Sequence, residues 1–186
     1  RVRRAPSISG RRFHGAKVTL QSGMTMPTLG ALYAGTFDPV THGHLDLIRR
    51  GVELFGSLLV AVADNPNKNP LFSAEERVDM IRAEVGDLAV EVEYFRGLVV
   101  DHARQRGIQR LLRGVRTVSD FEYEYQMAMT NRVLEPEVET VFVMPNEEYA
   151  YVSSRLMKEV YEAGGELQRF LPGRVHRLLT EKLASS

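Results

Sequence analysis

The residues best placed to do chemistry lie in one short stretch, Gly35-Thr36-Phe37-Asp38-Pro39-Val40-Thr41-His42-Gly43-His44. It holds two histidines, two threonines and an aspartate, with proline and glycine to turn the chain. An apolar run, Ala31 to Ala34, precedes it and reads as a buried strand. Apolar residues at 45, 48, 52 and 55 follow at helical spacing. A strand therefore ends at Gly35 and a helix begins near Gly43. The first amides of such a helix are unpaired donors at the positive end of its dipole, which suits an anion. The stretch reads as a phosphate site.

Other candidates stand at the ends of later strands. Leu58 to Ala63 is a second apolar run, and the turn-rich loop after it carries Lys68. Val90 to Phe95 alternates as a third strand, followed by a helix from Leu98 to Arg106. Arg110 to Arg113 forms a fourth, ending at Gly114, with Arg116 just beyond. Thr140 to Met144 is the fifth, stopped by Pro145 and leading to Ser153 and Ser154. Helices are expected between them. Ser73 and Glu76 have capping-box spacing, Ser119 or Asp120 is expected to cap a helix reaching about Leu134, and the serine pair to cap the next. A last helix spans Pro172 to Leu183. Strands alternating with helices predict a single α/β domain, a Rossmann-like five-stranded parallel sheet covered on both faces. Ligands of such sheets bind beyond the carboxyl ends of the strands. There His44, Lys68, Arg113, Arg116 and the hydroxyls of Thr36, Ser153 and Ser154 would converge. Three cations and two helix starts call for a guest with several anionic oxygens, a nucleotide phosphate chain.

Composition narrows the classes. The chain has 186 residues, 44% apolar and 26% charged, as a soluble domain with a sizeable core would. It has no cysteine, so disulfides, thiolate metal sites and cysteine nucleophiles are excluded. No apolar run reaches membrane-spanning length. The net charge of zero conceals an uneven distribution: residues 1–24 carry six basic groups and no acid, leaving −6 on the rest. A body of that sign is a poor general binder of nucleic acid. Residues 1–29, rich in Arg, Ser, Gly and Thr, are expected to be a disordered extension, with the domain over residues 30–186. The P-loop pattern, the dinucleotide fingerprint and the serine-hydrolase elbow are all missing.

The Gly35-Thr36-Phe37-Asp38-Pro39 and Thr41-His42-Gly43-His44 pattern resembles the nucleotidylyltransferase superfamily. Phe72 to Arg77, Arg113-Gly114-Val115-Arg116 with Asp120 to Glu124, Tyr151 to Ser154 and Lys158-Glu159-Val160 resemble, in order, the bacterial phosphopantetheine adenylyltransferase family. The resemblance implies transfer of the adenylyl group of ATP to 4'-phosphopantetheine, giving dephospho-coenzyme A and pyrophosphate. It implies a cytoplasmic homohexamer, and Mg2+ held mainly through ATP phosphates rather than by a protein cage. By the same resemblance His44 is the catalytic histidine at the α-phosphate. Thr36, Lys68, Val99 and Arg113 bind the acceptor. Thr36, Phe37, His44, Gly114, Val115, Arg116 and Glu124 bind ATP, with Tyr149, Ala150, Tyr151, Val152, Ser153, Ser154 and Arg155 as the loop that closes on it. His42, at a variable motif position, is expected to be incidental. Two other readings remain at this point: a relative with a different acceptor, such as a cytidylyltransferase or a nicotinate-mononucleotide adenylyltransferase, and a non-catalytic nucleotide-binding regulator.

Overall fold

A computed structural model describes residues 29–65 and 69–184. The extension expected over residues 1–29 falls outside them except for Leu29, which packs against the core. Lys68 also falls outside.

The strands are β1 (Ala31–Gly35), β2 (Leu58–Ala63), β3 (Val90–Phe95), β4 (Arg110–Gly114) and β5 (Glu139–Val143). The helices are α1 (His42–Phe55), α2 (Ala74–Val85), α3 (Val99–Gln105), α4 (Val118–Leu134), α5 (Ser154–Glu162) and α6 (Gly173–Ala184). All five strands are parallel, in the order β3-β2-β1-β4-β5. The chain thus winds outward from β1 to one edge, then returns to start again on the other side. Alternate strand residues feed two cores. Tyr33, Val60 and Leu112 face α1, α2, α5 and α6, while Leu32, Leu59 and Leu111 face α3. Such period-two alternation is what a sheet covered on both faces requires.

The seam between β1 and β4 is short. Two residue pairs are in register there, Leu32 with Leu111 and Tyr33 with Leu112. Five are in register between β1 and β2, and six between β2 and β3. Beyond Tyr33 the carbonyl of Ala34 accepts a hydrogen bond from the Arg113 side chain at 2.6 Å. The crevice where winding reverses is therefore open at the strand ends, the place where this class of sheet receives ligands.

Local signals explain most helix starts. Ser73 and Glu76 form the expected capping box, with Glu76 accepting the Ser73 amide at 2.7 Å. Ser153 caps α5 by accepting from the Leu156 amide. The cap of α4 differs from expectation: Thr117 accepts the Asp120 amide at 3.1 Å. Asp120, freed from capping, receives Arg116 instead at 2.9 Å. A single 3-10 turn over Glu147–Tyr149, unforeseen in the sequence, bridges β5 and α5. Helix α1 lies close on the sheet because Gly51 has no side chain; a Cβ there would stand 2.8 Å from a Leu112 methyl. That approach sets the N-terminus of α1 at the mouth of the crevice.

Candidate active site

Two clefts adjoin at the strand ends. The smaller, about 190 Å³, runs between the loop after β1, the end of β4 and the approach to α5. Its walls include His44, Gly114, Arg116, Glu124, Tyr149, Val152 and Ser153. The larger, about 430 Å³, opens toward α3 and α4 and includes Thr36, Val99, Phe95, Met127 and Asn131. Ala34, Gly35 and Arg113 belong to both. Of the residues assigned to ATP, half line the smaller cleft, and of those assigned to the acceptor, Thr36, Val99 and Arg113 line the larger.

His44 is fixed by its own helix start. Its Nδ1 accepts the Thr41 amide at 3.0 Å, while the Thr41 hydroxyl accepts the His44 amide at 3.4 Å. This is a capping box in which an imidazole replaces the usual glutamate or glutamine. Accepting at Nδ1 puts the ring proton on Nε2. Burial, and then the nearby Arg116 guanidinium, pull the His44 pKa down from 6.5 to about 4. The ring is therefore neutral at pH 7 and offers one N–H donor. The Phe37 ring supports it edge-on at 5.1 Å between centroids. Phe37 itself is buried in the core, so it can serve a nucleotide only through its main chain.

The arginines are less free than the sequence suggests. Arg113 grips Glu124 with two hydrogen bonds, 2.7 and 2.6 Å, and Ala34 with a third. Arg116 pairs with Asp120 and donates to the Val152 carbonyl at 2.9 Å. Of the three cations expected at the strand ends, Arg113 and Arg116 are paired with Glu124 and Asp120, and Lys68 lies outside the described residues. What remains is geometry. A guanidinium has five N–H groups, and Arg113 uses three on these partners. Tyr33, on the wall beside it, has its phenol pKa pushed up by burial, despite both arginines, and stays neutral.

Other assigned residues are placed less directly. Val115 and Ala150 line a neighbouring hollow with Phe121 and Met144. Ser154 donates its hydroxyl to the Pro39 carbonyl at 2.7 Å. Tyr151 is largely exposed and meets Phe170 edge-on. Arg155 is 90% exposed in its side chain and pairs with Glu159. His42 packs beside Tyr149, off both cleft walls. Sequence reasoning missed the walls that Phe95, Leu98, Met127, Asn131 and Leu134 give the larger cleft. These come from separate elements and are ordinary apolar or amide side chains, so no motif could have collected them.

A polar cleft with a fixed N–H donor thus adjoins a largely apolar cleft, and Arg113 lines both. The family model described as cytidylyltransferase-like matches residues 32–160. Phosphopantetheine adenylyltransferase of Anaeromyxobacter sp. (strain K) is 53% identical over 154 residues, covering 82% of this chain and 94% of the relative. That of Caldanaerobacter subterraneus subsp. tengcongensis is 48% identical over 157 residues, covering 84% and 98%. This chain belongs to the phosphopantetheine adenylyltransferase family. A solved structure, a bifunctional NMN adenylyltransferase/ADP ribose pyrophosphatase from Francisella tularensis, shares the fold. It superposes with a TM-score of 0.60 at 15% identity, covering 83% of this chain and 49% of that one.

Proposed function

We propose that this protein transfers the adenylyl group of ATP to the phosphate of 4'-phosphopantetheine, giving dephospho-coenzyme A and pyrophosphate. The observation that carries this reading is close similarity, about half the residues identical, to relatives of that name along nearly their whole length. The other acceptors considered from the sequence find no comparable support. A regulator without catalysis is disfavoured by a histidine already locked in a donor tautomer.

The chemistry needs no general base, because a phosphate dianion is already a nucleophile. The protein must hold two polyanions in line and stabilise charge at the α-phosphate. His44 meets the second requirement, since its Nε2–H donates to the phosphoryl oxygen as negative charge grows there. A neutral donor suits this role because it stays protonated at Nε2 across the physiological range. The α5 N-terminus, with Ser153, supports the phosphates of ATP. Arg113 spans the joint between the clefts, turning its remaining N–H groups toward the acceptor phosphate, while Thr36 and Val99 line the acceptor's path. Glu124 fixes Arg113 and stands beside the nucleotide, Gly114 lines the same cleft with its missing side chain leaving room for Leu47, and Lys68 is assigned to the acceptor phosphate.

Among the described residues no group of three acidic or histidine side chains could form a metal cage. On this reading Mg2+ is carried mainly by the triphosphate and water, where it would neutralise charge on the leaving pyrophosphate. Assembly as a homohexamer extends the reading; α4 and the end of β5 expose Val118, Phe121, Tyr125 and Met144, apolar area that an interface would cover. Among the described residues no helix is long and apolar enough to cross a membrane, and we assign the enzyme to the cytoplasm, with no nucleic-acid partner. Pyrophosphate release from ATP, Mg2+ and 4'-phosphopantetheine tests the reaction. Release that requires both substrates supports it, and release with nicotinate mononucleotide alone as acceptor would replace it.

A further inference from the structure

Asp38 and Lys158 carry none of the roles above, yet they meet at the centre of the active-site loops. Asp38 is buried, 4% exposed, in the loop between β1 and α1. One carboxylate oxygen accepts the Phe72 amide at 3.0 Å. The other accepts the Leu71 amide at 3.0 Å and the Lys158 ammonium at 2.7 Å. Leu71 and Phe72 end the connection between β2 and α2, the connection whose sequence contains Lys68. Lys158 stands in the second turn of α5, the helix whose cap, Ser153, lines the nucleotide cleft. A single carboxylate therefore ties together three segments that reach the clefts from different sides.

The start of the β2–α2 connection is held to the same loop. Arg77, wholly buried, donates to the carbonyls of Thr36 at 2.7 Å and Ala63 at 3.0 Å, and its Nε donates to Phe72. Both ends of the connection are thus fastened to the β1–α1 loop. The Arg77 fastening stays within β1, β2 and α2. The Asp38 fastening reaches across to α5, where the Ser154 hydroxyl also holds the Pro39 carbonyl of the same loop. An ionised carboxylate this deep is stable when amides and a countercharge satisfy it together, and removal of the countercharge leaves it uncompensated.

We propose that Asp38 and Lys158 form a positioning pair that couples the acceptor side of the site to the nucleotide side. Lys158, carried by the nucleotide-side helix, acts through Asp38 on the β2–α2 connection and touches neither substrate. The proposal rests on the adenylyl-transfer reading. Its signature is a cross-effect: loss of a lysine on the ATP side weakens use of the acceptor.

The test is Lys158→Met in the full chain, which keeps most of the stem and removes the charge. The side chain is 29% exposed, so the substitution opens no core cavity. The KM for 4'-phosphopantetheine should rise about tenfold, while the Kd for ATP measured without acceptor stays within about twofold. Lys158→Arg should recover most of the loss. Asp38→Asn should shift the same parameter, and the double variant should be no worse than Asp38→Asn alone, as for two members of one contact. A raised ATP Kd with an unchanged acceptor KM would overturn the proposal in favour of direct contact with the triphosphate. Multiplying losses in the double variant, or losses in every parameter that track a lower Tm, would overturn it too. If Asp38→Asn fails to fold, the Met and Arg variants at Lys158 still decide. Wild-type enzyme is the control: no turnover of ATP with 4'-phosphopantetheine sinks the reaction, whereas normal wild-type turnover matched by Lys158→Met sinks only the coupling.

Discussion

On the nucleotide side of Arg113 the polar groups come in pairs. His44 leans on Thr41, Arg116 on Asp120 and the Val152 carbonyl, and Arg113 itself on Glu124. On the acceptor side the walls are mainly apolar side chains from β3, α3 and α4, and two of them, Leu98 and Leu134, are more than half exposed. The first cleft has its donor directions fixed before any guest arrives, which is what stabilising a transition state demands. The second offers a surface along which a flexible arm can lie. One side selects geometry and the other selects contact area.

Substitutions should separate the two accordingly. His44→Ala removes the Nε2–H proposed to donate to the reacting phosphate, so kcat should fall about 10²- to 10³-fold while ATP affinity changes little. Pyrophosphate release beside calorimetric ATP binding checks this, and equal losses in both would erase the distinction between the clefts. Arg113→Met should come next. It leaves Glu124, only 12% exposed in its side chain, without its countercharge. We expect about a hundredfold lower kcat/KM for the acceptor together with a lower Tm. An effect on ATP alone would place Arg113 wholly on the nucleotide side.

The pH dependence is a third probe. With His44 at about 4 when folded against 6.5 in the unpaired state, the unfolded chain binds a proton that the folded chain refuses between those values. Stability must therefore fall as pH drops from about 6.5 toward 4, by up to about 1.4 kcal/mol per pH unit. Urea unfolding of wild type and His44→Ala at pH 7 and pH 5 should differ by that one-proton slope. Activity should show no inflection near 6.5 from this residue. Val99→Ala removes part of the acceptor wall and should raise the acceptor KM about fivefold, with no change for ATP. Smallest of all, Arg155→Ala should change each kinetic constant by less than about twofold, because its side chain is solvent-exposed and held by Glu159.

The same contrast explains what could be read from the sequence. Strands such as Leu58 to Ala63 are uninterrupted apolar runs between turn residues, and α2 announces itself with Ser73 and Glu76; these signals are local and survive folding. The smaller cleft was legible as a cluster because its residues lie in short loops at strand ends. The acceptor cleft was not, because Phe95, Val99, Met127 and Leu134 meet only after three elements pack. Pairings also escaped. Arg113 and Glu124 stand eleven residues apart across a turn, and nothing in their spacing marks them as partners. The imidazole cap at Thr41 was hidden for a plainer reason: capping-box patterns look for a glutamate or glutamine at that position. Strand order lay beyond local signals as well, since it depends on which way the chain turns after β3.

The short seam between β1 and β4 sets a limit on redesign. Registered pairing between those strands ends at Tyr33 and Leu112, and the small residues Ala34, Gly35 and Gly114 line the opening beyond. Larger residues at the rim can trim the opening, but they cannot zip the ladder closed. Change of guest is therefore a matter for the loops that leave β1 and β4 on either side. Those loops can be lengthened or exchanged while the sheet beneath keeps its registry, so the scaffold can outlast any one substrate.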